Sequence, residues 1–215
     1  MKWAIVKNSQ LIEISNGNKP ITVGDVVHPK DIFKHWTKSQ LKDIGVYEFI
    51  SGSAPDDKFE TPTTISYKVD DSKGTVTETI NKKDKAITDT LYTSQNKTDG
   101  VIPDGKDVGD VANKGLKTIY TEQIQNQAAS LLAPTDWMVV RKAEDSSKSI
   151  PSAVTTYRAS VRTESDKIAK AISDCDTLDK LKALFVTEFN EDGSVKTKAT
   201  MNTLPDDKDI EEYKR

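Results

Sequence analysis

His28 and His35 stand seven residues apart, a separation that could bring two imidazoles onto one helical face and so raises a metal-binding reading. Pro29 interrupts a helix between them, and neither histidine sits in a ligand pattern with a cysteine or a further histidine. The lone Cys175 lies between Asp174 and Asp176, anionic flanks that raise a thiol pKa and argue for an inert, reduced group. The acid pairs Asp56-Asp57, Asp70-Asp71 and Asp206-Asp207 have the composition for acid-base work or calcium, but each falls in turn-like polar sequence. Asp104, Gly105, Asp107 and Asp110 come nearest to a calcium loop, yet lack its bidentate glutamate and its apolar flanks. The glycines form neither a phosphate loop nor a dinucleotide fingerprint, and no Gly-x-Ser-x-Gly elbow is present. The expectation is a protein with no catalytic residues, no metal ligands and no cofactor.

One constellation remains: Asp136-Trp137, Arg141, Glu144, Pro151, Tyr157, Arg158 and Arg162. Arg158 and Arg162 are four residues apart and share a helix face, where Asp136, Glu144 or a partner's carboxylate could pair with them. Trp137 and Tyr157 serve as core anchors or as contacts with a partner, and the arginines either clamp a helical hairpin or grip a target. Trp137, Arg141, Tyr157, Arg158 and Arg162 are therefore the candidate partner-binding residues.

The elements that must position them follow from composition and periodicity. Only 35% of residues are apolar against 30% charged, with a mean hydropathy of -0.60. That core is thin for the length, and an elongated or segmented shape is expected. The 31 basic and 34 acidic residues nearly cancel, to a formal charge of -3, which is not the footprint of a nucleic-acid binder. No charged-then-apolar signal opens the chain and no apolar run approaches the roughly 18 residues a membrane span needs. The reading is of a protein made and used in a reducing cytoplasm, or carried on a particle assembled there.

KWAIVK (Lys2 to Lys7) and QLIEI (Gln10 to Ile14) are β-favouring runs separated by Asn8-Ser9, at hairpin spacing. Thr37 and Gln40 form a capping-box pattern ahead of a short helix from Lys38 to Ile44, closed by Gly45. VYEFI (Val46 to Ile50) reads as a strand, and two more strands flank the turn from Asp70 to Gly74. Lys82 to Gly109 is too polar to specify much structure by itself and reads as a loop, a linker or a segment ordered by a partner. Leu116, Ile119, Tyr120, Ile124, Ala128, Leu131 and Leu132 then mark a helix that Pro134 ends or interrupts. Pro151 opens a second long helix with Val154, Tyr157, Val161, Ile168 and Ile172 on one face, antiparallel to the first. A shorter amphipathic piece follows Thr177, a hairpin turns at Glu191-Asp192-Gly193, and the terminal DDKDIEEYKR reads as a solvated tail.

Leu131-Leu132-Ala133-Pro134-Thr135-Asp136-Trp137-Met138-Val139-Val140-Arg141-Lys142-Ala143-Glu144, followed by Ile150-Pro151 and Tyr157-Arg158-Ala159-Ser160-Val161-Arg162, resembles the phage tail assembly chaperone family and related tail-fibre assembly proteins. Their shared pattern is a helix ending in Leu, a Thr-Asp-Trp turn, and a Pro-led helix carrying Tyr-Arg and a later Arg. The resemblance covers about Ile119 to Ile168. The KWAIVKN hairpin, with Trp36, Leu41, Gly45, Val46 and Tyr47, is similar to the N-terminal parts of phage tail proteins that carry this motif.

The expectation is thus an α+β protein in four segments: an N-terminal β unit with a short helix (1–54), a β hairpin and polar linker (55–109), an antiparallel helical hairpin (110–185), and a hairpin with a tail (186–215). The resemblance implies a non-enzymatic tail protein whose partner is a phage tail-fibre or baseplate protein. It would act in the host cytoplasm during assembly, as chaperone or adaptor, or in the virion tail as a permanent structural subunit. A homo-oligomer is compatible with this, whereas nucleic acid and membrane are not expected partners.

Overall fold

Strand β1 (Lys2–Lys7) turns back into β2 (Gln10–Ser15) through Asn8 and Ser9, both in the left-handed region at φ 51 and 58. Two successive positive φ values make the two-residue turn whose twist matches that of a β hairpin. A small hairpin, β3 (Ile21–Val23) with β4 (Val26–His28), and a single turn, α1 (Ile32–His35), lead to α2 (Lys38–Asp43). The expected capping box is present at α2: the Thr37 hydroxyl accepts from the Gln40 amide, and the Gln40 side chain accepts from the Thr37 amide. Then come β5 (Val46–Ile50), β6 (Glu60–Asp70) and β7 (Thr75–Asp84). In this computed structural model, residues 1–214 are described.

The chain divides into two compact units, Met1–Asp84 and Lys85–Arg215. In the first, five strands lie in the order β2-β1-β5-β7-β6, antiparallel except for the β5–β7 pair. The sequence segments 1–54 and 55–109 thus contribute to one sheet, because β7 adds to β5 through Glu48, Phe49 and Ile50. β1 is buried on both faces. Trp3 and Ile5 pack with Ile21, Ile32, Leu41 and Val46 beneath the helical turns, while Ala4 and Val6 pack with Tyr47, Phe49 and Val76 on the other side. The outer strands β2 and β6 approach one another without pairing, with Leu11 and Val69 flanking that second core. Asp71, in the turn after β6, ties that turn to the β1–β2 turn and to β5 by accepting hydrogen bonds from the Ser9 hydroxyl at 2.5 Å and the Tyr47 hydroxyl at 2.7 Å.

In the second unit the polar stretch after Asp84 is ordered by its own hydrogen bonds rather than by a core. β8 (Thr90–Leu91) pairs with β9 (Val111–Asn113), the short α3 (Ser94–Thr98) carries a Thr93–Asn96 capping box, and Tyr92 exchanges main-chain bonds with Gly109 and Asp110. α4 (Leu116–Leu132) and α6 (Ser152–Ser173) form the expected antiparallel pair, with Lys117 reaching the Ser173 carbonyl at one end and Arg158 the Leu132 carbonyl at the other. The connection holds a 3-10 turn at Ala133–Thr135 and a further helix, α5 (Asp136–Glu144). α7 (Leu178–Ala183) and the hairpin β10 (Glu188–Phe189) with β11 (Val195–Thr197) follow. Phe185 meets Tyr120 of α4 edge-on at 4.8 Å.

The terminal segment departs from expectation. In place of a solvated tail, Lys208–Tyr213 forms a 3-10 helix whose Ile210 is fully buried among Ala128, Met138, Val154, Tyr157 and Val161. Its charged residues face water while Ile210 and Tyr213, three apart, fall on the inner side of a helix with three residues per turn. Composition hid an amphipathic pattern of only two residues.

Gly45 ends α2 at φ 80, and a Cβ there would lie 2.6 Å from the Val6 carbonyl oxygen. Gly45→Ala is expected to destabilise the first unit by about 2 kcal/mol or more, through left-handed strain and that clash together, read from the urea midpoint. Asp71 has a pKa below the ordinary 3.8, held there first by the Ser9 bond and then by Tyr47. A depressed carboxylate pKa contributes stability that is fully present above the unfolded value and lost as pH falls through the folded one. In Asp71→Asn, the loss of thermal stability below pH 3.8 is therefore expected to be shallower than in the wild type.

Candidate functional site

The candidate residues converge where α4 hands over to α5. A helix C-terminus leaves carbonyls without intrahelical partners, and here Pro134, which has no N–H, follows two residues after Leu132. Arg158 of α6 fills that need. Its Nη1 donates to the Leu132 carbonyl at 2.8 Å and to Thr135 Oγ1 at 2.7 Å, and its Nη2 donates to Asp136 Oδ1 at 2.7 Å. Thr135 is fully buried and also donates its hydroxyl proton to the Leu132 carbonyl at 3.0 Å. The rigid, always-charged fork of an arginine suits three acceptors at three positions, which the single point of a lysine ammonium does not. The carboxylate end of the clamp opens to water, since the Asp136 side chain is 57% exposed while that of Arg158 is 7%. Asp136 also lies in the first turn of α5, where a negative charge meets the positive end of the helix dipole.

Around this clamp, Trp137 is half-buried against the core formed by Met138, Val154 and Tyr157, and its Nε1–H donates to the Tyr213 carbonyl at 3.4 Å. Arg141, one turn further along α5, places its guanidinium carbon 5.0 Å from the centre of the Trp137 ring, a cation–π arrangement on the outer surface. Tyr157 is buried, and its hydroxyl has no hydrogen-bond partner. Burial first, and then the carboxylates of Asp207 and Asp206, push its pKa up, with Lys214 opposing them. Arg162 is exposed one turn beyond Arg158 and takes no part in the clamp. Of the acids considered as arginine partners, Asp136 takes that role.

The sequence points to Arg158 and Asp136 but not to the arginine's two other partners. Thr135 sits inside the quoted motif and its buried hydroxyl is essential to the geometry, while the Leu132 carbonyl is main chain and carries no sequence signal. Ile210 and Tyr213 lay in the segment read as a tail. Their separation of three residues in an otherwise charged stretch was the available sign.

The other candidates take structural places. His28 meets the Trp36 ring edge-on at 5.7 Å. Among the described residues, no three or more histidines, cysteines, aspartates or glutamates gather as a metal site, and no helix is long and apolar enough to cross a membrane. Cys175 is buried, its thiol donates to the Ala171 carbonyl at 3.3 Å, and burial is the first cause raising its pKa. Asp107 pairs with Lys97 at 2.9 Å, and Asp207 with Lys214 at 2.6 Å. Set against protein-family models, curated proteins and solved structures, the chain matches none of them.

Replacing Arg158 by Met retains much of its volume but removes three hydrogen bonds, leaving the Leu132 carbonyl with the Thr135 hydroxyl as donor and the Thr135 oxygen with no donor at a buried position. Chemical denaturation is expected to show a loss of about 1–3 kcal/mol, the range for removing the donor to a buried polar group. Arg158→Lys is expected to recover less than half of it.

Proposed function

We propose that this chain is a non-enzymatic bacteriophage tail protein that binds a tail or tail-fibre component and acts as an assembly chaperone or adaptor. The observation that supports this reading is the Arg158 clamp. It draws both halves of the quoted motif, Leu131 to Glu144 and Ile150 to Arg162, into a single packed corner. A set of residues spread over two helices and a turn thereby becomes one surface feature, with the Trp137–Arg141 stack at its outer edge. Aromatic and arginine side chains are the types that anchor protein contacts, since each offers large area together with directional polar groups. Val139 and Val140, 41% and 55% exposed beside that stack, extend it with apolar surface.

On this reading the corner shields apolar fibre surface until the fibre trimerises or attaches. The second reading, a permanent baseplate or fibre adaptor in the virion, draws on the separate five-stranded unit, which gives the chain a folded body outside the motif.

Co-expression with the fibre protein of the same phage is expected to raise the soluble fibre yield and to give a complex that co-purifies. Trp137→Ala with Arg141→Glu is expected to weaken that complex by roughly 30-fold or more, the loss typical of an anchor residue worth about 2 kcal/mol. No gain in solubility and no complex would sink the proposal. Mass spectrometry of purified particles separates its two forms: stoichiometric presence assigns the virion subunit, and absence the transient chaperone.

A further inference from the structure

We infer that the apolar face made by Met138, Val154 and Tyr157 is a peptide-binding groove, of which residues 204–214 are a displaceable resident occupant. The partner it fits is a short helical segment carrying an aliphatic and an aromatic anchor three residues apart. This rests on the reading of the α5–α6 corner as the docking surface, and names its occupant.

The chemistry of the ligand is on display in the segment that fills the groove. Ile210 is fully buried in the cluster and Tyr213 packs at its margin. The remaining residues are dominated by acids: Asp206, Asp207, Asp209, Glu211 and Glu212. The attachment is light. The segment is a 3-10 helix, whose hydrogen bonds are poorer than those of an α-helix. Its ion pairs join its own residues, Lys214 with Asp207 and Glu211, and Lys208 with Asp206. The Trp137 indole reaches the Tyr213 carbonyl at 3.4 Å, the long end of hydrogen-bonding distance.

The fit is also incomplete. A cavity of 410 Å³ separates Ser152, Thr156 and Ser160 of α6 from Pro205, Asp206 and Asp209. A second, of 490 Å³, lies between α6 and Thr203 and Pro205. Beside the first, the Tyr157 hydroxyl is buried without a partner, a group that costs free energy for as long as its proton finds no acceptor. A segment that supplies the same two anchors, fills the cavity and presents an acceptor to Tyr157 outcompetes the resident one. Release of residues 204–214 is then the local cost of partner binding, confining exposure of the apolar groove to moments when a partner is present to cover it.

The test uses the full chain, an Ile210→Asp variant, and a fluorescein-labelled synthetic peptide of this chain's residues 204–215 read by fluorescence anisotropy. In the wild type the tethered segment competes at high effective concentration. The variant, whose own segment no longer seats, is expected to bind the peptide at least tenfold more tightly than the wild type does. A peptide carrying Ile210→Asp is expected to bind neither protein. Hydrogen exchange is expected to show fast amides at 206–214 in the variant with α4 and α6 still protected. If Ile210→Asp costs α4 and α6 their protection, Tyr213→Ala takes its place with the same expectation. A protected variant that fails to bind the peptide, or binds the altered peptide equally well, overturns the inference. That failure leaves the fibre co-purification result standing, and absence of a fibre complex leaves the peptide binding standing.

Discussion

A positive charge buried beside the end of a helix has to be answered by acceptors, and the end of a helix has acceptors to spare. The second unit is built on that reciprocity. Arg158 brings the charge from α6, and α4 brings the orphaned Leu132 carbonyl. The turn between α4 and α5 brings the Thr135 hydroxyl, and the first residue of α5 brings the Asp136 carboxylate. Because one planar group answers three elements at once, the crossing of α4 over α6, the bend at Pro134 and the start of α5 are specified together. Trp137 and Met138 owe their positions to that start. A buried arginine is weak support for raw stability, since its desolvation cost offsets much of the attraction, but it selects strongly among alternative packings.

The helical pair, the β1–β2 hairpin, the α2 capping box and β5 were legible because each rests on local rules. These are hydrophobic spacing at 3.6 or 2, a Thr and Gln three apart, and a Gly where φ is positive. The chemistry of Arg158 was legible only as a helix face shared with Arg162; that one arginine is buried and the other exposed depends on where α4 ends. α5 was unmarked because Asp136 to Glu144 carries four charged residues and an apolar run of Trp137 to Val140 without helical spacing. The role of residues 204–214 depends on two side chains that mean nothing until the groove they fill exists.

The two units solve the thin core in different ways. The first places both faces of β1 in contact with apolar groups, so one strand serves two small cores. The second threads its apolar residues along the inner faces of α4 and α6, and sets Ile210 and Tyr213 near the hinge between them. In both, Asp and Lys side chains in turns and at helix ends satisfy exposed backbone or each other at little cost.

The first sheet brings β2 near β6, where Asp71 fastens the Ser9 turn, yet leaves these two strands as its edges. An open sheet ends in a row of unpaired amides and carbonyls that any extended chain can join. β2 and β6 are the two edges here, and β6 is interrupted by Pro62 and an irregular register up to Ile65. A proline and a broken register blunt an edge against further strands, so the longer of the two edges carries its own guard against unplanned pairing.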